Sequence, residues 1–300
     1  MYPQYLGAMT IRLAHHPPLA VEPLFSFLGE RAIPGVETFD GRTFRRAMFT
    51  KNGESAVIAL TPHPTRPHVA LDVATSVATN DEPAPAETVE AARRLLDLDA
   101  DPVTIDDVLA RDPALRSSVR ATPGMRLPGA VDGFELAVRA VLGQQVSVRA
   151  ARTFAGRIAT AAGTPLPKQL LVDGITHAFP TADQLAAAPL DIIGLTRRRI
   201  DTLHRFAELA ASGNLDLSAV ADTQSTKEAL LAIPGVGPWT VAYVSMRALR
   251  DVDAFPATDL GVRLGCQALG LPGSPGEIRE RAERWRPWRG YAVMHLWQAL

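Results

Sequence analysis

The stretch Leu230-Leu231-Ala232-Ile233-Pro234-Gly235-Val236-Gly237-Pro238-Trp239-Thr240 joins two helical patterns through a Pro-Gly-Val-Gly turn. Pro238 suits the first turn of the second helix, where a missing N–H costs nothing. Gly235 and Gly237 permit a tight turn and close approach of backbone to another surface. Free N–H groups there, at the positive end of a helix dipole, would face an anion. A DNA phosphate fits, so Gly235, Gly237 and Thr240 are candidate DNA contacts; an ordinary helical hairpin fits the same residues. Trp239 and Tyr243, at i and i+4, share a helix face. Asp259 stands twenty residues past Trp239, just before the apolar stretch Leu260–Leu269. An aspartate in that position caps a helix N-terminus, and the dipole there favours its negative charge.

The elements that must carry these residues fall into two parts. The first ~75 residues read as a small α/β unit. Ala8 to Ala14 is β-rich, Leu24 to Arg31 has helical spacing, and Phe44–Thr50 and Ser55–Thr61 flank Lys51-Asn52-Gly53-Glu54. Asn-Gly between two strand-like runs predicts a hairpin, both turn positions tolerating positive φ. Val69–Val73 is a further strand, and Asn80-Asp81-Glu82-Pro83-Ala84-Pro85 reads as a linker. From residue 86 onward the pattern is helical. Asp132 and Ser147 are helix caps on either side of a break at Gly143-Gln144-Gln145. Thr181 and Gln184 form a capping-box pattern, and Ile200 to Leu209 is amphipathic.

Composition narrows the function classes. The chain has 300 residues, 47% of them hydrophobic, with no apolar run of the ~18 residues that span a bilayer. The start, Met1 to Tyr5, lacks the basic and apolar regions of a signal peptide. A single cysteine, Cys266, excludes an internal disulfide and a cysteine-ligated zinc or iron–sulfur site. Histidine spacing suggests no metal site. The net charge of −1 does not advertise a nucleic-acid binder, but residues 121–250 carry 13 Lys+Arg against 10 Asp+Glu, while 1–120 carry 12 against 16. A DNA-facing surface therefore belongs to the middle segment and must rely on placed contacts.

Several runs, taken together, resemble the helix-hairpin-helix DNA glycosylase superfamily, in its bacterial 3-methyladenine DNA glycosylase II branch. They are the hairpin, Phe255-Pro256-Ala257-Thr258-Asp259, Arg126-Leu127-Pro128-Gly129, Asp132-Gly133-Phe134-Glu135, Val138 to Ser147 and Trp285 to Ala292. Order and spacing match from about residue 120 to the C-terminus, with a weaker match at Phe25-Ser26-Phe27-Leu28. The resemblance implies an α+β fold. A TATA-binding-protein-like domain over 1–85 would precede an all-α region over 86–300. That region would hold a lobe at 121–250, with the hairpin at 230–240, and a second lobe from 86–120 plus 251–300. It implies hydrolysis of the N-glycosidic bond of alkylated bases such as 3-methyladenine and 7-methylguanine in double-stranded DNA, after base flipping.

Residue by residue, the resemblance makes Asp259 the catalytic carboxylate, opposing the positive charge that develops on the deoxyribose. Trp239, Tyr243, Trp297 and Phe27 become base-pocket aromatics, able to stack an electron-poor base. Gln145 takes the position that fills the vacated base stack. Relatives that also cut the strand carry a lysine where this chain has Trp239, and an indole cannot form a Schiff base. The implied activity is thus monofunctional, with no cofactor required. A monovalent cation, Na+ or K+, is implied at the carbonyls of Leu231, Ile233 and Val236. Arg197-Arg198-Arg199 reads as a solvated helix face or a DNA-backbone contact, and Trp288 as core packing. A monomeric cytoplasmic protein near the nucleoid, with no membrane partner, is expected. Rival readings are an oxidised-base glycosylase, a catalytically silent helix-hairpin-helix module, and an α/β transcription factor. Trp239 argues against the first and Asp259 with the aromatic set against the second. The third lacks a recognition helix rich in base-reading side chains.

Overall fold

A computed structural model describes residues 9–76, 85–172, 174–218 and 220–300. Ala8 and most of the expected linker, residues 80–84, lie outside the described residues. The N-terminal part is a five-stranded antiparallel sheet in the order β1-β5-β4-β3-β2. Its strands are β1 (Met9–Ala14), β2 (Glu37–Phe39), β3 (Phe44–Phe49), β4 (Ser55–Pro62) and β5 (His68–Thr75). The expected hairpin joins β3 to β4, but through five residues, Thr50–Glu54, closed by Thr50 N–H to Glu54 O at 2.9 Å. Only Gly53 takes positive φ, at 78°, so Asn52 is not part of a two-residue turn.

Central strand β4 is apolar along most of its length because both its faces are covered. Ile58 and Leu60 face helix α1 (Val21–Glu30), while Val57 meets Leu166, Leu170 and Ile175. These last residues lie around a small two-stranded pair, Thr164–Pro165 with His177–Ala178, which hydrophobic spacing did not reveal. It is too short to show a period.

Helices follow from Ala86. They are α2 (Ala86–Leu96), α3 (Pro102–Leu109), α4 (Pro113–Ala121), α5 (Gly133–Leu142), α6 (Val148–Ala162), α7 (Ala182–Ala187) and α8 (Arg197–Ala211). Then come α9 (Thr223–Leu231), α10 (Pro238–Arg247), α11 (Leu260–Ala268), α12 (Pro275–Ala282) and α13 (Arg289–Gln298). The caps read from sequence are formed. Asp132 accepts Phe134 N–H at 2.8 Å, Ser147 accepts Ala150 N–H at 3.2 Å, and Thr181 and Gln184 close their box reciprocally. Among the described residues no helix is long and apolar enough to cross a membrane.

Two cores result. Residues of α5 to α10 bury one, around Phe134, Leu142, Leu203 and Val244. The sheet, α1 to α4 and α11 to α13 share the other, around Leu60, Leu96, Trp285 and Leu296. The five-stranded sheet therefore ends before residue 86, yet its hydrophobic core does not, and the second helical lobe packs as one body with the sheet. Tyr243 packs against both cores. A cavity lined by Tyr243 lies at that junction.

Candidate active site

Four separate elements bring the expected residues together. Pro238 opens α10, and the 3.6-residue period puts Trp239 and Tyr243 on one face, their rings stacked at 5.5 Å and 20°. Asp259 caps α11, its Oδ1 accepting Val262 N–H at 2.9 Å. Two indoles reach the same carboxylate: Trp297 donates to Oδ1 and Trp239 to Oδ2, both at 2.9 Å. Close approach of α13 requires Gly261, where a Cβ would stand 2.8 Å from the Trp297 ring. Capping and site geometry are thus a single arrangement. Three N–H donors converge on an acceptor-only group, and Asp259 stays half-buried at the wall of the cavity.

That cavity holds about 480 Å³, within the ~300–1,000 Å³ of small-molecule sites. Phe27, Trp239, Tyr243, Asp259 and Trp297 all line it. Phe27 comes from α1, so the N-terminal domain supplies part of the wall. Its ring is buried, stacked on Trp297 at 6.0 Å and covered by the Arg31 guanidinium at 3.8 Å. Phe27 is therefore a support beneath the cavity more than an open stacking face.

Sequence reading missed the cations. Arg31 follows Phe27 by four residues and Arg247 follows Tyr243 by four, so both were visible as i,i+4 aromatic–arginine pairs. Burial lowers the pKa of both guanidiniums, Arg247 to about 10. Behind them a buried cluster ties sheet to helix: Arg46 pairs with Glu37 and Glu135 at 2.9 and 2.6 Å, and Arg139 with the same two carboxylates at 3.1 Å. Burial opposes the charge on Glu135, but the two guanidiniums win and hold its pKa below the usual carboxylate range. Arg139 also donates to Arg31 O at 2.6 Å, which fixes the end of α1 and with it Phe27.

The hairpin separates its two glycines. Gly235 has φ of 92°, and a Cβ there would lie 2.3 Å from Thr202 Oγ1, so it is needed by the fold. Gly237 has φ of −112° and a Cβ there meets nothing within 4 Å. Its bareness faces outward. Among the described residues the N–H groups of Gly235, Gly237, Trp239 and Thr240 donate no hydrogen bond. The side chain of Thr240 is turned inward: the residue is 2% exposed, and its hydroxyl accepts from Gln144 Nε2 at 2.8 Å. Only its backbone N–H is free.

Gln144 also donates to Gly235 O at 3.0 Å, so the break after α5 is fastened to the hairpin. Arg199 Nη2 braces it from α8 by donating to Gln144 O at 2.7 Å. Next to this brace Gln145 is exposed with φ of 55°, an uncommon conformation for a residue with a Cβ. Arg197 is exposed and paired with Asp191 and Asp201. Lys227 pairs with Asp251 at 2.6 Å, away from the cavity lining. Trp288 packs edge-on against Tyr291.

The AlkA N-terminal domain family matches residues 10–132, and the family of HhH-GPD superfamily base excision DNA repair proteins matches 138–289. The chain belongs to the HhH-GPD superfamily, in its AlkA branch. It is 33% identical to DNA-3-methyladenine glycosylase 2 of Escherichia coli over 94% of both chains. It is 41% identical to a probable bifunctional transcriptional activator/DNA repair enzyme AlkA of Mycobacterium tuberculosis. That match covers 98% of this chain but 58% of the relative, so the chain spans little more than half of it. The fold is similar to that of a 3-methyladenine DNA-glycosylase from Archaeoglobus fulgidus, with TM-score 0.77 at 24% identity, over 96% of this chain and 97% of that one. In this chain a small antiparallel sheet precedes the helices.

Proposed function

We propose that this protein is a monofunctional DNA glycosylase of base excision repair that hydrolyses the N-glycosidic bond of alkylated bases in duplex DNA. The observation that carries the reading is the carboxylate of Asp259, held by three N–H donors at the wall of an aromatic cavity. Membership of the AlkA branch supports it, as do the glycosylase names of relatives matched over nearly their full length.

In this reading the hairpin N–H groups hold a phosphate, which positions the protein without reading sequence. Gln145, projecting from its braced turn, fills the gap left by the flipped nucleotide. The base enters the cavity beside Trp239, Tyr243 and Trp297. An alkylated purine carries formal positive charge, leaves as a neutral base and needs no protonation. Asp259 opposes the cation that develops at C1′ and orients the water that captures it. Trp239 stands where a Schiff-base lysine would be needed, and Lys227 is held by Asp251. The product is an intact abasic site.

The hairpin carbonyls fit a monovalent cation. Among the described residues those of Leu231 and Val236 accept no hydrogen bond, and that of Ile233 accepts one, from Val236 N–H at 3.0 Å. A Na+ or K+ held by these three would add positive charge beside the phosphate. The protein is read as a monomer with double-stranded DNA as its partner. Incubation with methylated duplex DNA, followed by chromatography of released bases, tests the reading. 3-Methyladenine and 7-methylguanine should be freed without strand breakage; no release of either overturns it.

A further inference from the structure

Arg247 is a buried cation without a counter-ion. Its side chain belongs to a residue 4% exposed, and among the described residues it pairs with no carboxylate. Burying an unpaired charge is costly, and such charges concentrate at functional sites. Each of its three nitrogens donates to an oxygen atom. Nε donates to Pro128 O, Nη2 to Gly129 O at 3.1 Å, and Nη1 to the Tyr243 hydroxyl at 2.9 Å. The Arg126-Leu127-Pro128-Gly129 run thereby gains a task. It offers two carbonyls to Arg247, while Gly129 N–H is anchored on Arg94 O at 3.2 Å.

Hydrogen-bond polarity then decides what Tyr243 does. A guanidinium has donors only, so the Tyr243 oxygen must accept and its own O–H must point elsewhere. Among the described residues that O–H has no acceptor, and both Tyr243 and Arg247 line the cavity. A second guanidinium, Arg31, lies over the same Phe27 ring as Arg247, at 3.8 and 4.8 Å. Two guanidiniums thus stand behind this part of the wall.

A free hydroxyl donor polarised by a guanidinium suits a base that leaves with its electron pair and no charge of its own to cancel it. We propose that Tyr243 donates a hydrogen bond to the acceptor edge of a flipped neutral purine, with Arg247 as the residue that positions and polarises its hydroxyl. The inference rests on the glycosylase reading above. In the step it serves, the C1′–N9 bond breaks and its electron pair passes to the base. The developing negative charge on the base is stabilised by the Tyr243 O–H, which Arg247 polarises. Water oriented by Asp259 adds to C1′, and the proton that water loses ends on the departing base. A cationic alkylated base leaves neutral and draws little from this donor.

Single-turnover release of hypoxanthine and of 7-methylguanine, from otherwise identical duplexes, tests the proposal. In Tyr243→Phe the ring stack on Trp239 is kept, and the hypoxanthine-to-7-methylguanine rate ratio should fall at least tenfold. Arg247→Met should lower the ratio in the parent protein but not further in the Tyr243→Phe background. A ratio within threefold of the parent in Tyr243→Phe overturns the proposal, and so does an independent, multiplicative loss in the double variant. If Arg247→Met does not fold, Tyr243→Phe decides alone. A parent enzyme that frees 7-methylguanine but no hypoxanthine refutes this inference and leaves the glycosylase reading intact. One that frees neither refutes both.

Discussion

Replacing Asp259 with asparagine probes the centre of the mechanism, and the geometry shows that the amide is not a silent substitute. Oδ1 serves Val262 N–H and Trp297 Nε1, while Oδ2 serves Trp239 Nε1, each at 2.9 Å. Asparagine has one carbonyl oxygen. If that oxygen keeps the cap and Trp297, its NH2 faces the Trp239 N–H, donor against donor. An opposed buried donor costs about 1–3 kcal/mol, visible as a lowered Tm. The catalytic loss has a different origin. At ~4 Å and an effective dielectric near 20, a carboxylate and a developing cation attract by about 4 kcal/mol. At about 1.36 kcal/mol per tenfold, its loss corresponds to roughly a thousandfold in rate. The assay is single-turnover release of 7-methylguanine from duplex DNA, beside a thermal melt. Adding Trp239→Phe removes the opposed donor and should restore part of the stability but none of the rate. An Asp259→Asn rate within about tenfold of the parent would remove Asp259 from the chemistry. So would a rate that recovers together with stability in the double variant.

Other expectations follow from single positions. Gly237→Ala, which strains no backbone and touches no protein atom, should weaken damaged and undamaged duplexes alike by about tenfold in Kd, since phosphate contacts do not discriminate. Unchanged Kd in a binding titration makes the hairpin a structural turn. Gly235→Ala should instead lower Tm, because Thr202 Oγ1 occupies the space and φ is positive. Borohydride should trap no covalent adduct with DNA; a trapped species that vanishes in Lys227→Ala contradicts the monofunctional reading. His295 is fully buried on Ser118 Oγ at 2.9 Å, and burial brings its pKa from 6.5 to about 4. Because the unfolded chain takes up that proton first, its contribution is complete above pH 6.5 and is lost as pH falls through 4, about 3 kcal/mol in all. Denaturant titrations across that window should flatten in His295→Leu, and an unchanged slope removes His295 as the cause.

The sequence by itself determined what is local. Caps at Asp132, Ser147 and Asp259, the shared face of Trp239 and Tyr243, and the turn at Gly235 rest on contacts within a few residues, which periodicity and capping rules read directly. Resemblance to a family named the distant partners Phe27 and Trp297, but not what surrounds them. Packing decided that. Arg247 meets Gly129 across 118 positions, Arg46 meets Glu135 across 89, and Gln144 clamps Gly235 across 91. No spacing rule encodes such pairs, because they exist only once two lobes and a sheet fix where each backbone carbonyl points. The same packing decided how Thr240 faces: its place on the first turn of α10 was legible, its burial under Gln144 was not. It also separated two glycines that look alike in sequence: Gly235 lies against Thr202, while among the described residues a Cβ at Gly237 would meet nothing within 4 Å.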